Sequence, residues 1–293
     1  MSFLRAEAAL PDPAAARRAF DRAAATFARA SVVHDEARNR LLERLDFVRM
    51  APRIVVDLGT GLGDGAERLR ERYPESRVLA IDTSLAMLAE ARKRPAIHVI
   101  AADAERLPLP IGQTDLILAN MLLPWSRPDR VFREAARILT SGGLLLFATL
   151  GPDTLLEVRR AWAAVDDRVH VHAFFDMHDL GDLAVQSGLA EPVVDVDRLE
   201  LTYKDVNALI RDLRACGATN VAAGRRRSLT GRRRWTRFVE TLEASKRDGR
   251  IPVTIELILG HAWGRGGPPS RRVGPTETSV SVSEIPVRRR PAK

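Results

Sequence analysis

A carboxylate and several glycines lie close together where the first predicted β-strand ends. Residues 57–63 read Asp-Leu-Gly-Thr-Gly-Leu-Gly. Glycine permits tight turns and lets a ligand approach the main chain closely. A related glycine loop binds dinucleotides, but an acid in front of the loop would repel a pyrophosphate and would attract a ligand with ammonium and sulfonium charges. The residues predicted to bind the ligand here are Asp57, Gly59, Thr60, Gly61 and Gly63.

Polar residues also follow the next three predicted strands. Asp82, with Thr83 after it, is placed to accept hydrogen bonds from two ribose hydroxyls, and Asp103, with Ala104 after it, to accept an adenine amino proton. Asn120 ends the fourth strand and is expected below a methyl group to be transferred. Any one acid could be a helix cap or a turn residue. Because ligands bind beyond the carboxyl ends of parallel strands, the set favours S-adenosylmethionine.

Alternating strand and helix patterns position these residues. Apolar runs predict strands over 54–58, 78–81, 98–100, 116–119 and 144–149, with helical stretches between them. Such alternation predicts a doubly wound, mostly parallel α/β sheet. Gly142 and Gly143 are expected to terminate the helix that precedes the fifth of these strands. Two later runs, 193–203 and 253–263, are expected to pair in antiparallel fashion and to complete the sheet.

This pattern predicts a Rossmann-like, seven-stranded sheet with helices on both faces and a helical insertion before the last strand. Residues 1–50 are expected to form an N-terminal helical lid, 51–203 the ligand-binding core, and 204–250 the insertion, which serves as a substrate lid. Residues 251–263 supply the last strand of the core. The segment 264–293 is rich in Gly, Pro, Ser and Arg and is predicted to be a disordered basic tail.

Composition limits the classes of partner and compartment. The formal net charge is +8, and residues 225–237 hold seven arginines and no acid, so either an acidic partner or a solvated surface explains them. Cys216 is the single cysteine, which excludes an internal disulfide and a multi-thiol metal site and favours a reducing compartment. No stretch approaches the roughly 20 apolar residues that span a bilayer. We therefore expect a cytoplasmic protein without membrane contact.

The motifs resemble those of class I methyltransferases over about residues 53–150. Almost end to end, the chain is similar to the malonyl-acyl-carrier-protein O-methyltransferases of biotin synthesis. The segments that carry the resemblance are 18–24, 57–63, 82, 103–104, 120–125, 151–155, 170–182, 229–231 and 260–263. The resemblance implies S-adenosylmethionine as cofactor and acyl carrier protein with a malonyl thioester as partner. A sister group, methyltransferase-like assembly factors of respiratory complex I, gives an alternative in which the partner is a protein subunit.

Methyl transfer to a carboxylate needs no general base, because a carboxylic acid with a pKa near 4 is already ionised at neutral pH. The protein must align the reacting atoms and exclude water. No catalytic residue is therefore assigned. An arginine is expected to hold the carboxylate, with Arg225 and Arg226 as candidates, and Phe27 and Trp125 are expected to be apolar walls. His172 is a further candidate on the substrate side.

Other functions are less well supported by the residues. His170, His172 and His178 have no spacing typical of metal ligands, and methyl transfer requires no metal, so a substrate-side loop is the preferred interpretation. RNA methylation is disfavoured because the fourth strand ends in Asn120-Met121-Leu122-Leu123 instead of the Asn/Asp-Pro-Pro-aromatic run used to stack and methylate base amino groups, and no specific nucleic acid is expected as a partner. Another small-molecule methyltransferase would share the core but lacks the similarity in the C-terminal third.

Overall fold

The computed structural model describes residues 10–265. The first nine residues of the predicted lid and residues 266–293 of the predicted tail lie outside this range. Within it, the strands are β1 (Ile54–Leu58), β2 (Arg77–Asp82), β3 (His98–Ala101), β4 (Thr114–Asn120), β5 (Leu139–Leu150), β6 (Ala190–Tyr203) and β7 (Ile251–Trp263). The α-helices are α1 (Pro13–Ala23), α2 (Val32–Arg44), α3 (Asp64–Arg72), α4 (Leu85–Ala91), α5 (Pro128–Ile138), α6 (Leu156–Ala163), α7 (Met177–Gln186), α8 (Val206–Ala215) and α9 (Arg232–Glu243).

The strands form one sheet in the order β3-β2-β1-β4-β5-β7-β6. Strands β1 to β5 pair in parallel, and β7 pairs antiparallel to both β5 and β6. The predicted seven-stranded, mostly parallel sheet is confirmed, and so is the antiparallel pairing of the last two strands. The strand order reverses between β1 and β4, and ligands of doubly wound sheets bind at such a reversal.

Both faces of the sheet are covered by helices, as predicted. One apolar cluster joins Val56 and Phe147 of the sheet to Phe132 of α5 and Leu180 of α7. A second cluster joins Leu116 and other strand residues to α2 and α3 on the opposite face. Strands buried on both faces explain the nearly continuous apolar runs of the sequence. No helix within residues 10–265 is both long enough and apolar enough to cross a bilayer.

The prediction that Gly142 and Gly143 terminate a helix is wrong. Helix α5 ends at Ile138 and β5 begins at once, so both glycines lie inside the strand. The register between β4 and β5 shifts here: Thr114 pairs with Leu139, whereas Leu116 pairs with Leu144, so β5 has extra residues between the two pairs. A Cβ on Gly143 would come within 3.0 Å of the Thr114 carbonyl, so the glycine is required by a close approach of two strands.

The N-terminal segment and the helical insertion are joined in space. The amide of Asp12 donates to the Val221 carbonyl at 2.8 Å, and the amide of Ala223 donates to the Leu10 carbonyl at 2.8 Å. Helices α8 and α9 of the insertion share an apolar cluster with α6 and β7, centred on the fully buried Phe238. These contacts join the first part of the N-terminal segment to the insertion, whereas α2, which also belongs to the predicted N-terminal lid, packs on a face of the sheet.

Candidate active site

The glycine loop after β1 turns back against β2. Gly59 and Gly61 have φ angles of +75° and +55°, which favour glycine. The amides of Gly59 and Thr60 donate to the Ile81 carbonyl at 2.8 and 3.0 Å. A Cβ on Gly61 would meet no atom within 4 Å. The loop is therefore fixed on one side and open on the other, where a ligand has access to its main chain.

Asp82, at the end of β2, is the acid best placed for a ligand. One carboxylate oxygen accepts the Gly61 amide at 3.0 Å, and the other accepts the Ser84 amide at 2.8 Å. Burial raises the pKa of Asp82 above its usual range, and the backbone donors partly offset this effect. A carboxylate has about four acceptor sites, so each oxygen retains capacity for a hydroxyl.

A cavity of about 290 Å³, which we call the donor cleft, lies in front of the loop. It brings together most of the predicted cofactor residues and two of the predicted substrate residues. Those on its wall are Gly59, Gly61, Asp82, Thr83, Asp103, Ala104, Asn120, Phe27 and Trp125. The sequence analysis missed Arg17, Phe20 and His34, which also line the cleft. Phe20 lies in the resembling segment 18–24, whereas no local signal marked His34.

Asp57, Thr60 and Gly63 do not line the cleft and instead shape the loop behind it. The Asp57 carboxylate is buried, accepts the Thr60 hydroxyl at 2.5 Å, and lies against the start of α3. Burial raises its pKa to about 6, against the lowering effect of Thr60, the Ala66 amide and Arg38. A Cβ on Gly63 would come within 3.0 Å of Ala91, so this glycine permits close packing of the loop.

Asn120 marks the floor of the donor cleft. Its Nδ2 donates to the His34 carbonyl at 2.9 Å, whereas its Oδ1 is buried and has no hydrogen-bond partner within residues 10–265. Burial lowers the pKa of His34 to about 4, so this imidazole is neutral at physiological pH. Phe27 packs against His34 with ring centroids 4.9 Å apart. An unpaired carbonyl oxygen at the end of β4 suits a ligand that brings a donor or a positive charge.

A second cavity of about 360 Å³, which we call the substrate chamber, adjoins the donor cleft. His34, Met121 and Trp125 line both cavities. The chamber wall is largely aliphatic and aromatic and comes from α6, α8, β6, β7 and the segments between them. Trp162 and Trp235 both pack around Phe238 and line this chamber.

The two candidate arginines have different positions. Arg226 is half-buried and lines the substrate chamber. Arg225 lines neither cavity, because its guanidinium is bonded to the Ala222 carbonyl at 2.9 Å and to Asp12 at 3.5 Å. The interpretation of Arg225 as a residue that contacts substrate is therefore corrected: it fastens the insertion to the N-terminal segment.

The three candidate histidines do not converge on one point. His170 stacks on Trp162 at 3.7 Å and hydrogen-bonds Asp166, whereas His178 is exposed at the start of α7. His172 lines the substrate chamber. No group of three or more potential metal ligands is found within residues 10–265.

The amino-acid sequence is similar to those of known methyltransferases. Residues 55–143 match a family model described as a methyltransferase domain. A malonyl-[acyl-carrier protein] O-methyltransferase of Laribacter hongkongensis is 44% identical over 280 residues, which cover 91% of this chain and 94% of that protein. A protein of the same name from Methylovorus sp. is 43% identical over 271 residues, covering 89% and 92%.

Solved structures support the fold. The YcgJ protein of Bacillus subtilis matches with a TM-score of 0.54 and 17% identity, over 78% of this chain and 98% of that one. A SAM-dependent methyltransferase of Thermotoga maritima matches with a TM-score of 0.51 and 20% identity, over 85% of this chain and all of that one. At these identities the likeness supports the fold, which is that of class I methyltransferases.

Proposed function

Because the chain belongs to the malonyl-[acyl-carrier protein] O-methyltransferases, we propose that it methylates the free carboxylate of malonyl-acyl carrier protein. The chain is an S-adenosylmethionine-dependent methyltransferase. Masking the malonyl charge would let fatty-acid enzymes elongate the primer towards the pimelate part of biotin. The observation that supports this proposal best is the donor cleft, whose wall carries polar residues from the ends of successive strands and which shares His34, Met121 and Trp125 with a largely apolar chamber.

The residues of the donor cleft fit S-adenosylmethionine. When bound, this cofactor supplies a methyl group on a positively charged sulfur. We assign Asp82 to the ribose hydroxyls, Asp103 to the adenine amino group, and the main chain of Gly59 and Gly61 to the methionyl part. The unpaired Oδ1 of Asn120 offers a partial negative charge at the floor of the cleft. Asp57 does not contact the cofactor in this assignment; its buried carboxylate contributes a negative electrostatic potential from behind the loop.

The protein has little proton chemistry to perform in this reaction. A malonyl carboxylate is ionised at neutral pH, so it attacks a methyl group without a base. The two buried imidazoles near the shared wall, His34 and His172, are neutral because burial lowers the pKa of each to about 4. Catalysis then depends on alignment of the reacting atoms and on exclusion of water. Phe27 and Trp125 supply apolar surface for both tasks.

The substrate chamber gives a route for the acyl arm of the carrier. Arg214, Ser228 and Thr230 line the chamber and are exposed, so the chamber opens to solvent near them. Half-buried Arg226 lies on the same wall. We assign Arg226 to an anionic group of the substrate, because a guanidinium binds carboxylate and phosphate oxygens in pairs.

The surface beside this opening suits an acidic carrier protein. Arg232, Arg233 and Arg234 are exposed at the start of α9, and Leu229 is 93% exposed in the loop before it. Acyl carrier proteins are acidic and helical, so the arginines would steer the carrier towards the opening. An exposed apolar residue among cations gives that carrier a short-range contact that charge alone does not provide.

Incubation with methyl-labelled S-adenosylmethionine and malonyl-acyl carrier protein tests the proposal directly. We expect a base-labile methyl ester on the carrier. Acetyl-acyl carrier protein is the matched control, because it lacks only the carboxylate, and it should remain unlabelled. Absence of a methyl ester from protein that still binds the cofactor would refute the proposed substrate. Rescue of a biotin-requiring strain is the companion test in cells.

A further inference from the structure

A row of ring contacts crosses the boundary between the donor cleft and the substrate chamber. Ring centroids are 5.1 Å apart for Phe20 and Trp125, and 4.9 Å apart both for Trp125 and His172 and for His172 and Phe174. Phe20 comes from α1, Trp125 from the turn after β4, and the other two from the segment before α7. Three parts of the chain thus form the wall that the acyl arm of the carrier would contact on its way to the donor cleft.

Two nitrogens in this row are buried and have no hydrogen-bond partner within residues 10–265. They are Nε1 of Trp125 and Nε2 of His172. His172 is only 4% exposed, and both residues line the substrate chamber. Buried polar atoms are generally paired, so two unpaired nitrogens on adjacent rings require a reason. A ligand that displaces the side chains over these nitrogens forms new hydrogen bonds with them. The protein incurs no desolvation cost there, because the two nitrogens are already shielded from water.

The two nitrogens have opposite hydrogen-bonding character. The indole Nε1 always carries a hydrogen and only donates. His172 is neutral because burial and the charge of Arg159 lower its pKa to about 4, although the Pro124 carbonyl beside the ring favours a hydrogen on it. Because Nε2 has no partner and this carbonyl attracts a ring N–H, we assign the one hydrogen of the ring to Nδ1. A neutral imidazole has one N–H, so Nε2 presents a lone pair.

We propose that Trp125 and His172 together bind a secondary amide of the pantetheine arm that carries the acyl group. The indole N–H donates to the amide carbonyl, and Nε2 of His172 accepts the amide N–H. A secondary amide offers one acceptor and one donor on opposite edges of a single plane, whereas a carboxylate offers acceptors only and an ammonium donors only. The apolar remainder of the chamber suits the methylene and methyl groups of such an arm. This inference rests on the proposed function.

A pair of substrate analogues tests the donor half of the amide. Malonyl-N-acetylcysteamine keeps the thioester and the first amide of the arm. The malonyl thioester of 2-acetoxyethanethiol replaces that N–H by an ester oxygen, whose lone pairs would face Nε2. With the wild-type protein we expect kcat/KM for the amide to exceed that for the ester by about tenfold, the value of one buried hydrogen bond. Equal values would overturn the inference.

Two variants separate the roles of the rings. His172→Phe keeps a planar ring but has no nitrogen to accept the amide N–H. The ratio of kcat/KM for the amide analogue to that for the ester analogue should therefore fall to about one. Trp125→Phe removes the donor to a carbonyl that both analogues share, so both values should fall together while the ratio persists. His178→Phe, the same substitution at an exposed site outside the chamber, should leave the ratio unchanged. A ratio that stays high in His172→Phe would overturn the assignment of Nε2.

Equilibrium binding provides a readout that requires no methyl transfer. Calorimetry with protein saturated with S-adenosylhomocysteine should show the same order of affinities for the two analogues in each variant. Thermal melting would show that the variants are folded. Failure to methylate malonyl-acyl carrier protein, with the amide preference intact in analogue binding, would refute the proposed function and support the amide site. Methylation of the carrier, with equal efficiency on the two analogues, would do the reverse.

Discussion

The donor cleft and the substrate chamber share a wall but are built in different ways. The polar residues that the cleft uses lie at the carboxyl ends of β1, β2, β3 and β4 or in the short loops directly after them. The chamber takes its wall from residues between Ala30 and Ile255, most of them on loops and helices outside the parallel strands. The first construction repeats wherever the fold occurs, because strand ends meet at one edge. The second can change with the substrate, since no single motif fixes it.

Of the variants considered, Asp82→Ala should have the largest effect, and that effect should fall on the donor cleft rather than on the substrate chamber. It removes acceptors for two ribose hydroxyls and frees the amides of Gly61 and Ser84, so S-adenosylmethionine affinity should fall by about 100-fold, two charge-assisted hydrogen bonds. Calorimetry measures the loss. Asp103→Ala is the comparison variant, with a smaller effect because Asp103 is exposed. Unchanged affinity in Asp82→Ala would contradict our description of the cleft.

Charge reversal of the exposed residues Arg227, Arg232 and Arg233 to Glu should affect the carrier-bound substrate alone. Arg234 is left in place because it pairs with Asp166, which also binds the chamber residue His170. We expect kcat/KM for malonyl-acyl carrier protein to fall by about 10- to 100-fold, because steering and the docking contacts are lost. The value for malonyl-N-acetylcysteamine should change less than twofold. Steady-state kinetics at two salt concentrations measure both. Equal losses on the two substrates would show that the arginines act on folding or on the chamber itself.

A change in pH should affect the donor cleft through Asp57. Its pKa of about 6 lies above the ordinary value, so the carboxylate is ionised above pH 6 and gains a proton as the pH falls below 6. The cationic S-adenosylmethionine should then lose about fivefold more affinity than the neutral sulfonium-free S-adenosylhomocysteine between pH 7.5 and pH 5. Parallel calorimetric titrations of the two ligands measure the difference.

Asp57→Asn is the control for that pH dependence. The amide is of similar size but does not titrate, so the preference for the cation should be lower at pH 7.5 and should vary less with pH. Asp82, whose pKa is also raised, accounts for any dependence that remains. If Asp57→Asn retained the full pH dependence of the wild-type protein, the buried carboxylate would not contribute to donor binding.

Leu229→Ser should have the smallest effect. The side chain is 93% exposed, so its removal costs the isolated protein almost no stability. If it contacts the carrier, KM for malonyl-acyl carrier protein should rise by about three- to tenfold, as for partial burial of one leucine. KM for malonyl-N-acetylcysteamine should stay the same. Val193→Ser, at an exposed position on β6 away from the arginines, is the matched control.

Local sequence was sufficient for the sheet and for much of the donor cleft. The apolar runs of β1 to β4 and the glycine turn are determined within a few residues, and the parallel direction of the strands follows from their alternation with helices. The prediction that Asp82, Asp103 and Asn120 share one cavity is in agreement with the cleft. The prediction failed at Gly142 and Gly143, which lie within β5 where β4 approaches closely, a contact that the local pattern does not show.

Only the tertiary structure decided what depends on residues far apart in the chain. Arg225 is hydrogen-bonded to Asp12, 213 positions away in the chain. This residue, predicted to bind substrate, therefore links the insertion to the N-terminal segment. The side-chain amide of Asn120 holds the backbone of His34 across 86 positions and brings that histidine into the cleft. Asp57 looked like a ligand contact in sequence, but packing directed its carboxylate to α3. Periodicity and local motifs specify elements and turns, whereas side-chain direction depends on neighbours that only folding supplies.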